Sequence, residues 1–310
     1  MKVLVSGAGG LIGHAVSAQL RARQHQVSAL VRDPQRARPG NLLWQPSSPI
    51  DPSQLAVFDA IVHLAGSPVA VRWTAAAKAE IRNSRVEGTA NLARAAAQAQ
   101  QQSGQPKVLI CASAIGYYGS RGEETLVEDS APGLGFLAEV CCQWEAAALP
   151  AAMAGVRVVH MRSSLVLSPS GGALAKMLPA FRLGAAGTLG GGRQWWSWIT
   201  LEDAARAFVF ALENEHAHGA LNVTAPHPVT NAEFTRTLGR IVGRPELLAL
   251  PAFALRLAAG EMADELLLAS QRVLPRRLLE MGFNFEDAEL EPALRRLLNH
   301  PASRTRASAE

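Results

Sequence analysis

The stretch Val3-Leu4-Val5-Ser6-Gly7-Ala8-Gly9-Gly10-Leu11-Ile12-Gly13 decides the fold, because an apolar run, a glycine turn and the opening of a helical pattern follow one another directly. Strand, tight turn and helix in that order form the cradle that holds a dinucleotide pyrophosphate. One glycine permits the bend, a second lets backbone approach the phosphates, and a third packs helix against strand, with the helix N-terminus facing the negative charge. Gly7, Gly10 and Gly13 give the spacing G-x-x-G-x-x-G; read as G-x-G-x-x-G from Gly7, the pattern fails at Ile12. Leu11 and Ile12 complete the expected contact set. A plain glycine-rich loop is the competing reading, and the strand-turn-helix context argues against it.

The end of the second strand selects between cofactors, since it lies beside the adenosine ribose. In Gln26-Val27-Ser28-Ala29-Leu30-Val31-Arg32-Asp33-Pro34 the usual acidic site falls on Val31, and Arg32 follows with a guanidinium suited to a 2′-phosphate. NADP(H) is therefore expected over NAD(H). The alternative, with Arg32 a solvated turn residue and Asp33 the ribose ligand, stays open at this level. Arg36 and Arg38 add positive charge nearby.

The 310 residues, 48% of them hydrophobic, suffice for one large core or two connected ones. The net charge of +4 comes with scattered arginines and no basic stripe interleaved with aromatics, so no nucleic-acid partner is expected. Three cysteines, Cys111, Cys141 and Cys142, are poor material for a disulfide framework and fit a reducing cytoplasm. His63, His160, His216 and His218 lack metal-ligand spacing, so no metal is expected. The start reads as strand, without a convincing signal cleavage site. The apolar stretch 250–273 is broken by Arg256, Glu261, Asp264, Glu265 and Arg272, so it reads as core-packing helices and not as a membrane span.

Strand-like runs at 2–6, 26–31, 60–64, 108–112 and 156–161 alternate with helical stretches, which predicts a doubly wound, Rossmann-type α/β fold with a parallel sheet covered on both faces. The alanine-rich stretch 74–102 supplies one crossover helix or two. Ligands in such sheets sit at the carboxyl ends of strands, so Leu64, Ala65 and Gly66 are expected against the cofactor, with Ala112 and Ser113 beside them. Residues 1–165 form the expected NADP(H)-binding domain, and Leu165 at its end is counted among the cofactor contacts. Residues 166–300 form a smaller, interleaved substrate lobe. It has glycine-rich and Trp195-Trp196-Ser197-Trp198 segments, helices at 201–212 and 231–242, and a strand at 220–223 that returns to the sheet. Thr200 or Asp203 suits the start of a helix, and 301–310 reads as a solvated tail.

Together with the glycine turn, His63-Leu64-Ala65-Gly66, Ser113-Ala114-Ile115-Gly116-Tyr117-Tyr118-Gly119 and Gly192-Arg193-Gln194-Trp195-Trp196-Ser197-Trp198-Ile199 resemble an extended or atypical short-chain dehydrogenase/reductase. More narrowly, the chain is similar to the YfcH-like epimerase family group. That similarity rests on Gly116-Tyr117-Tyr118-Gly119, Trp144-Glu145-Ala146-Ala147, Gly171-Gly172-Ala173, Met177-Leu178-Pro179 and Phe181-Arg182-Leu183-Gly184. Leu274-Pro275-Arg276-Arg277-Leu278, Gly282-Phe283-Asn284-Phe285 and Leu290-Glu291-Pro292-Ala293-Leu294 resemble the group's C-terminal domain of unknown function, about 250–298. The resemblance covers nearly the whole chain and implies an NADP-dependent oxidoreductase or epimerase-like protein whose small-molecule substrate it does not specify. It also implies cofactor contacts at Arg32, Leu64, Ala65, Glu80 and Arg85. Arg85 has a physical role available in pairing with pyrophosphate or ribose oxygens, against the reading of a surface arginine.

Active members of the superfamily use Tyr-x-x-x-Lys on a helix, where the lysine lowers the tyrosine pKa. This chain has only Tyr117 and Tyr118, followed four residues on by Arg121 and Gly122. With Glu145 as helix marker, the expected tyrosine and lysine positions fall on Leu137 and Cys141. The hydroxyl position four residues before Tyr118 is Ala114, with Ser113 one place away. One reading is an oxidoreductase with a relocated acid, Tyr117 or Tyr118, beside an arginine such as Arg121, assisted by Ser113, with Arg193 or Trp196 shaping the pocket. Another is a non-catalytic NADPH-binding redox sensor or partner-binding regulatory protein. Thiol chemistry at Cys141 is opposed by Glu139 and Glu145. A homodimer is left open.

Overall fold

The computed structural model describes residues 1–244 and 249–299; the expected tail and the Arg36 side chain lie outside what is described. Its centre is a seven-stranded sheet in which every neighbouring pair is parallel. The strands are β1 (Lys2–Ser6), β2 (Gln26–Val31), β3 (Leu42–Leu43), β4 (Ala60–His63), β5 (Val108–Ala114), β6 (Arg157–Ser163) and β7 (Gly219–Val223). Their spatial order is β7-β6-β5-β4-β1-β2-β3. The order reverses at β1 and β4, which is where such sheets open a ligand crevice at their carboxyl edge.

Strand residues alternate between two cores, as a pleat of period two requires. Val3, Val5, Val62, Ile110, Val159 and Met161 face α1 (Leu11–Ala22) and the helix Leu201–Glu213. Leu4, Ile61, Leu109 and Cys111 face the other way, against Leu92, Ala93, Ala96 and Ala99 of α2 (Ala75–Ser103). The alanine-rich stretch is thus a single helix of 29 residues. Thr74 caps its start by accepting from Ala77 N, and Gly104, at φ +73°, ends it. Alanines let it lie close to the sheet, and at Gly88 a Cβ would stand 3.1 Å from Pro46 Cβ.

A third core belongs to the second lobe: Leu174, Leu178 and Phe181 of α4 (Gly172–Arg182) pack with Trp198, with Phe234 and Leu238 of Asn231–Ile241, and with Leu294 and Leu297 of Leu290–Asn299. The remaining long helix, α3 (Phe136–Ala146), lies beside α2 and the turn that follows β5. β7, late in the chain, completes the sheet beside β6.

One expectation is corrected. The helix Ala252–Ala259 buries none of its residues, and Phe253 and Leu257 are exposed; it does not pack a core. Polar contacts hold the segment that follows it instead, Lys78 pairing with Glu261 and Glu265 accepting from Phe136 N and Leu137 N. No helix among the described residues is long and apolar enough to cross a membrane.

Candidate functional site at the carboxyl edge of the sheet

The turn after β1 is shaped by what its glycines exclude. Gly7 has φ +69°, and a Cβ there would stand 2.8 Å from the Leu64 carbonyl carbon and 2.9 Å from Ala65 N. A Cβ on Gly13 would lie 2.1 Å from Gly7 O, so α1 and the turn touch backbone to backbone. Gly10 N donates to Gly7 O at 2.9 Å. Gly10 is also the N-cap of α1, which has neither a side-chain cap nor an acidic residue in its first turn. The positive end of the helix dipole is thereby left for an external anion. Ile12 packs on the first core. Leu11 is covered by the second lobe, because a Cβ on Gly171 would stand 3.1 Å from Leu11 Cδ1. Leu165 opens the short strand Leu165–Ser168 directly after β6, its N–H donating to Ser197 O.

The loop after β4 is tied down from below. Ser6 Oγ accepts from Leu64 N (3.1 Å) and Ala65 N (3.3 Å) and lies 2.6 Å from His63 Nδ1. The Ser6 hydroxyl is thus the only hydrogen-bond partner of the ring among the described residues, His63 Nε2 being buried without one. Burial pulls the His63 pKa down to about 4, so the ring is neutral at pH 7. Arg85 Nη1 donates to Ser67 O and Ile81 O, and its guanidinium lies over Trp144 and against Gly66. Burial pulls the Arg85 pKa below its ordinary value, and no carboxylate pairs with it among the described residues. Glu80 accepts from Ser67 Oγ at 2.6 Å. Glu80 and Arg85 thus both hold the 64–67 loop.

At the end of β2, beyond Val31, Asp33 accepts from Gln35 N and caps the turn 34–36. Arg32 is exposed, and its guanidinium has no partner among the described residues. Both readings that the sequence leaves open place Arg32 at the surface, as it is here.

The other end of the crevice is a closed chain of side chains. Ser113 and Arg162 are register partners on β5 and β6. Ser113 Oγ donates to Glu145 Oε1 (2.7 Å), and Arg162 grips the same carboxylate with Nε on Oε1 and Nη2 on Oε2, each at 2.8 Å. Arg162 Nη1 donates to Tyr118 OH (3.0 Å) and Glu128 O (3.1 Å), and Tyr118 OH donates to Asn222 Oδ1 (2.7 Å). Burial works against the Arg162 charge, but the Glu145 carboxylate holds its pKa well above the ordinary value. Tyr117 is half-buried, its ring centroid 3.5 Å from the Arg162 guanidinium carbon.

Three placements differ from the sequence reading. Tyr118 is fully buried with its hydroxyl committed, and burial pushes its pKa up to about 12, so it is a member of the network and not a rim acid. The arginine beside the tyrosines is Arg162; Arg121 pairs with Glu124 and donates to Ala131 O. Arg193 is exposed, while Trp196 packs on Phe234 of the third core. Asp203 is buried, pairs with Arg206 and accepts from Glu286 N and Asp287 N, so it braces the C-terminal segment; Thr200 caps the helix. Leu137 and Cys141 face Gly116, whose Cβ would stand 3.3 Å from Leu137 Cβ and 3.8 Å from Cys141 Sγ. Burial, then Glu145, pushes the Cys141 thiol up to about 12, which leaves no thiolate for chemistry. Ala112 lies on β5 one residue before Ser113. Among the described residues no group of three or more His, Cys, Asp or Glu could hold a metal.

Arg162, Asn222 and Glu128 escaped the sequence reading. The one signal present was an arginine directly after an apolar strand, since a charge at the end of a buried strand needs a partner.

Residues 3–224 match the NAD dependent epimerase/dehydratase family, and residues 250–297 match a domain of unknown function, DUF1731. A Mycobacterium bovis protein named epimerase family protein Mb2239 is 45% identical over 294 residues, spanning 94% of this chain and 96% of that one. The crystal structure of human epimerase family protein SDR39U1 (isoform 2) with NADPH superposes with a TM-score of 0.85 at 35% identity, covering 97% of this chain and all of that one. A nucleoside-diphosphate sugar epimerase from Corynebacterium glutamicum superposes with a TM-score of 0.78 at 35% identity, over 95% of this chain and 57% of that one.

Proposed function

The chain belongs to the NAD dependent epimerase/dehydratase family, and from that premise we propose that it binds NADP(H) and exchanges hydride with a small carbonyl- or hydroxyl-bearing substrate. The observation that carries the cofactor assignment is the uncapped start of α1 above a turn in which a Cβ at Gly7 or Gly13 would overlap backbone. A pyrophosphate fits that cradle, and the human relative crystallised with NADPH supports the choice. Gly7, Gly10, Leu11, Ile12 and Gly13 would hold the pyrophosphate, and Arg32 the 2′-phosphate. Val31, Leu64, Ala65, Gly66, Ala112 and Leu165 would line the crevice, with Glu80 and Arg85 keeping its loop in place.

When bound, the nicotinamide supplies hydride exchange at carbon. At the other end Ser113, whose proton sits on the bond to Glu145, presents a lone pair and so receives a substrate O–H or N–H. Tyr117, half-buried on the Arg162 guanidinium, is the phenol placed to exchange a proton with the substrate oxygen. Three cysteines without a disulfide support a reducing compartment such as the cytoplasm. A second reading, an NADPH-binding regulatory protein without turnover, is favoured by one observation: Leu137 and Cys141 form an apolar and thiol surface against Gly116.

The test is thermal denaturation of the protein and of Arg32→Ala with NADPH, NADP, NADH and NAD. At 100 times Kd a ligand stabilises by about 2.7 kcal/mol. The phosphorylated pair should raise Tm and lose about 1.5–3 kcal/mol of binding in the variant; no shift with any nucleotide would overturn the proposal. NADPH oxidation across a carbonyl panel then separates the two readings.

A further inference from the structure

The domain of unknown function contributes side chains to the end of the crevice where the tyrosines lie. The peptide 115–119, which carries Tyr117 and Tyr118, is a single 3-10 turn between β5 and Gly119. Gln271 Nε2 donates to Ile115 O and to Gly119 O, each at 3.1 Å, so the two protons of one carboxamide close both ends of that turn. The neighbouring residues continue the attachment. Ser270 N donates to Ser120 Oγ, Ser270 Oγ donates to Gly122 O, and Arg121 N donates to Ser270 O. Arg272–Val273 pairs in parallel with Thr125–Leu126, and Leu274 O accepts from Asn222 Nδ2, the partner of Tyr118. Upstream, Glu265 accepts from Phe136 N and Leu137 N, fixing the start of α3, which carries Glu145.

Three of the elements that supply a group to the network are thus held by the stretch 265–274, the 115–119 turn by Gln271, α3 by Glu265 and Asn222 by the Leu274 carbonyl, while Ser113 and Arg162 are held by the register of β5 and β6. That stretch offers the crevice no catalytic side chain of its own. We propose that the C-terminal domain is a positioning device for the reaction end, with Gln271 the residue that sets the 115–119 turn and so keeps the Tyr117 ring on the Arg162 guanidinium.

A carboxamide supplies the two N–H protons that the two carbonyls take, without bringing a charge to the turn. Gln271→Met keeps the length and removes both donors, and Gln271→Glu sets a carboxylate against two carbonyl oxygens. The role assigned to Tyr117 rests on the function proposed above, whereas the placement of the rings does not.

The chain has only two tyrosines, so labelling the full-length protein with tyrosine carrying 13C at Cζ yields two aromatic signals, assigned with Tyr117→Phe. In Gln271→Met both signals should move from their wild-type shifts while the NADPH isotherm stays at its wild-type position. The further shift that NADPH induces in the Tyr117 signal of the wild type should be lost. Unmoved rings in a folded Gln271→Met overturn the inference. Wild-type binding of NADPH with no response at Tyr117 overturns the part that ties the turn to the reaction. Where Gln271→Met does not fold, Ser270→Ala, which removes the hydrogen bond to Gly122 O, is read in the same way. Absence of NADPH binding in the wild type would sink the proposed function and leave the ring comparison standing as its own test.

Discussion

The dinucleotide end of the crevice is made of backbone and left open, whereas the tyrosine end is made of side chains and closed. At Gly7, Gly10 and Gly13 the determinants are missing Cβ atoms and a helix start without a side-chain cap. At Ser113, Glu145, Arg162, Tyr118 and Asn222 each polar group has its partner inside the protein. The contrast teaches that binding a phosphate needs empty space beside a helix dipole, while placing a proton-exchanging group needs rotamers locked by packing and hydrogen bonds. An end of the first kind is set by a few consecutive residues; an end of the second kind draws on segments far apart in the chain.

The largest effect should come from breaking the closed end. Arg162→Met leaves the Glu145 carboxylate buried without its cation, and loss of one partner of a buried pair costs about 3–5 kcal/mol. Urea denaturation should record that loss, while NADPH binding by the folded fraction is retained. A loss of both together would show that the ends are not separable.

Acid should act through the dinucleotide end. His63 takes a proton near 6.5 when unfolded and near 4 in the fold. Between those values the unfolded chain binds more protons, so stability falls as pH drops from about 6.5 to about 4, by up to roughly 3 kcal/mol. Denaturation of wild type and His63→Gln at pH 7 and pH 4.5 checks this, since the variant should lack that part of the pH dependence.

Gly13→Ala is the next step down for stability, and its binding outcome is the sharper one. The added methyl must displace the Gly7 carbonyl, overpacking of a kind that costs about 1–3 kcal/mol. Titration should show NADPH affinity lost while the tyrosine signals stay in place. The smallest effect belongs to Glu80→Ala, whose exposed carboxylate only accepts from Ser67: within about 0.5 kcal/mol in stability. A larger change, read by the same denaturation, would mean that Glu80 does more than steady its loop.

The sequence made the five main strands legible to within two residues at each end, because period-two burial and glycine turns are local signals. Within 250–273 it misjudged the helix Ala252–Ala259, where an apolar composition suggested core packing, whereas Ala263 and Val273 are indeed buried. The structure leaves Phe253 and Leu257 exposed, since composition alone does not say which face meets a neighbour. It assigned Tyr118 and Arg121 to the reaction end by proximity along the chain, whereas Tyr118 is sealed and Arg121 is engaged by Glu124.

The sequence by itself determined the parallel α/β sheet, the phosphate cradle and the lack of any Tyr-x-x-x-Lys, because a backbone conformation, a pleat and a motif are each written within a few neighbouring residues. Only the tertiary structure decided that Arg162 grips Glu145, that Asn222 receives Tyr118, and that Gln271 closes a turn some 150 residues earlier in the chain. Those pairings depend on strand order, on register and on which faces are buried, and no local pattern specifies which of many arginines, asparagines or glutamines will meet a given partner once the chain has closed around its core.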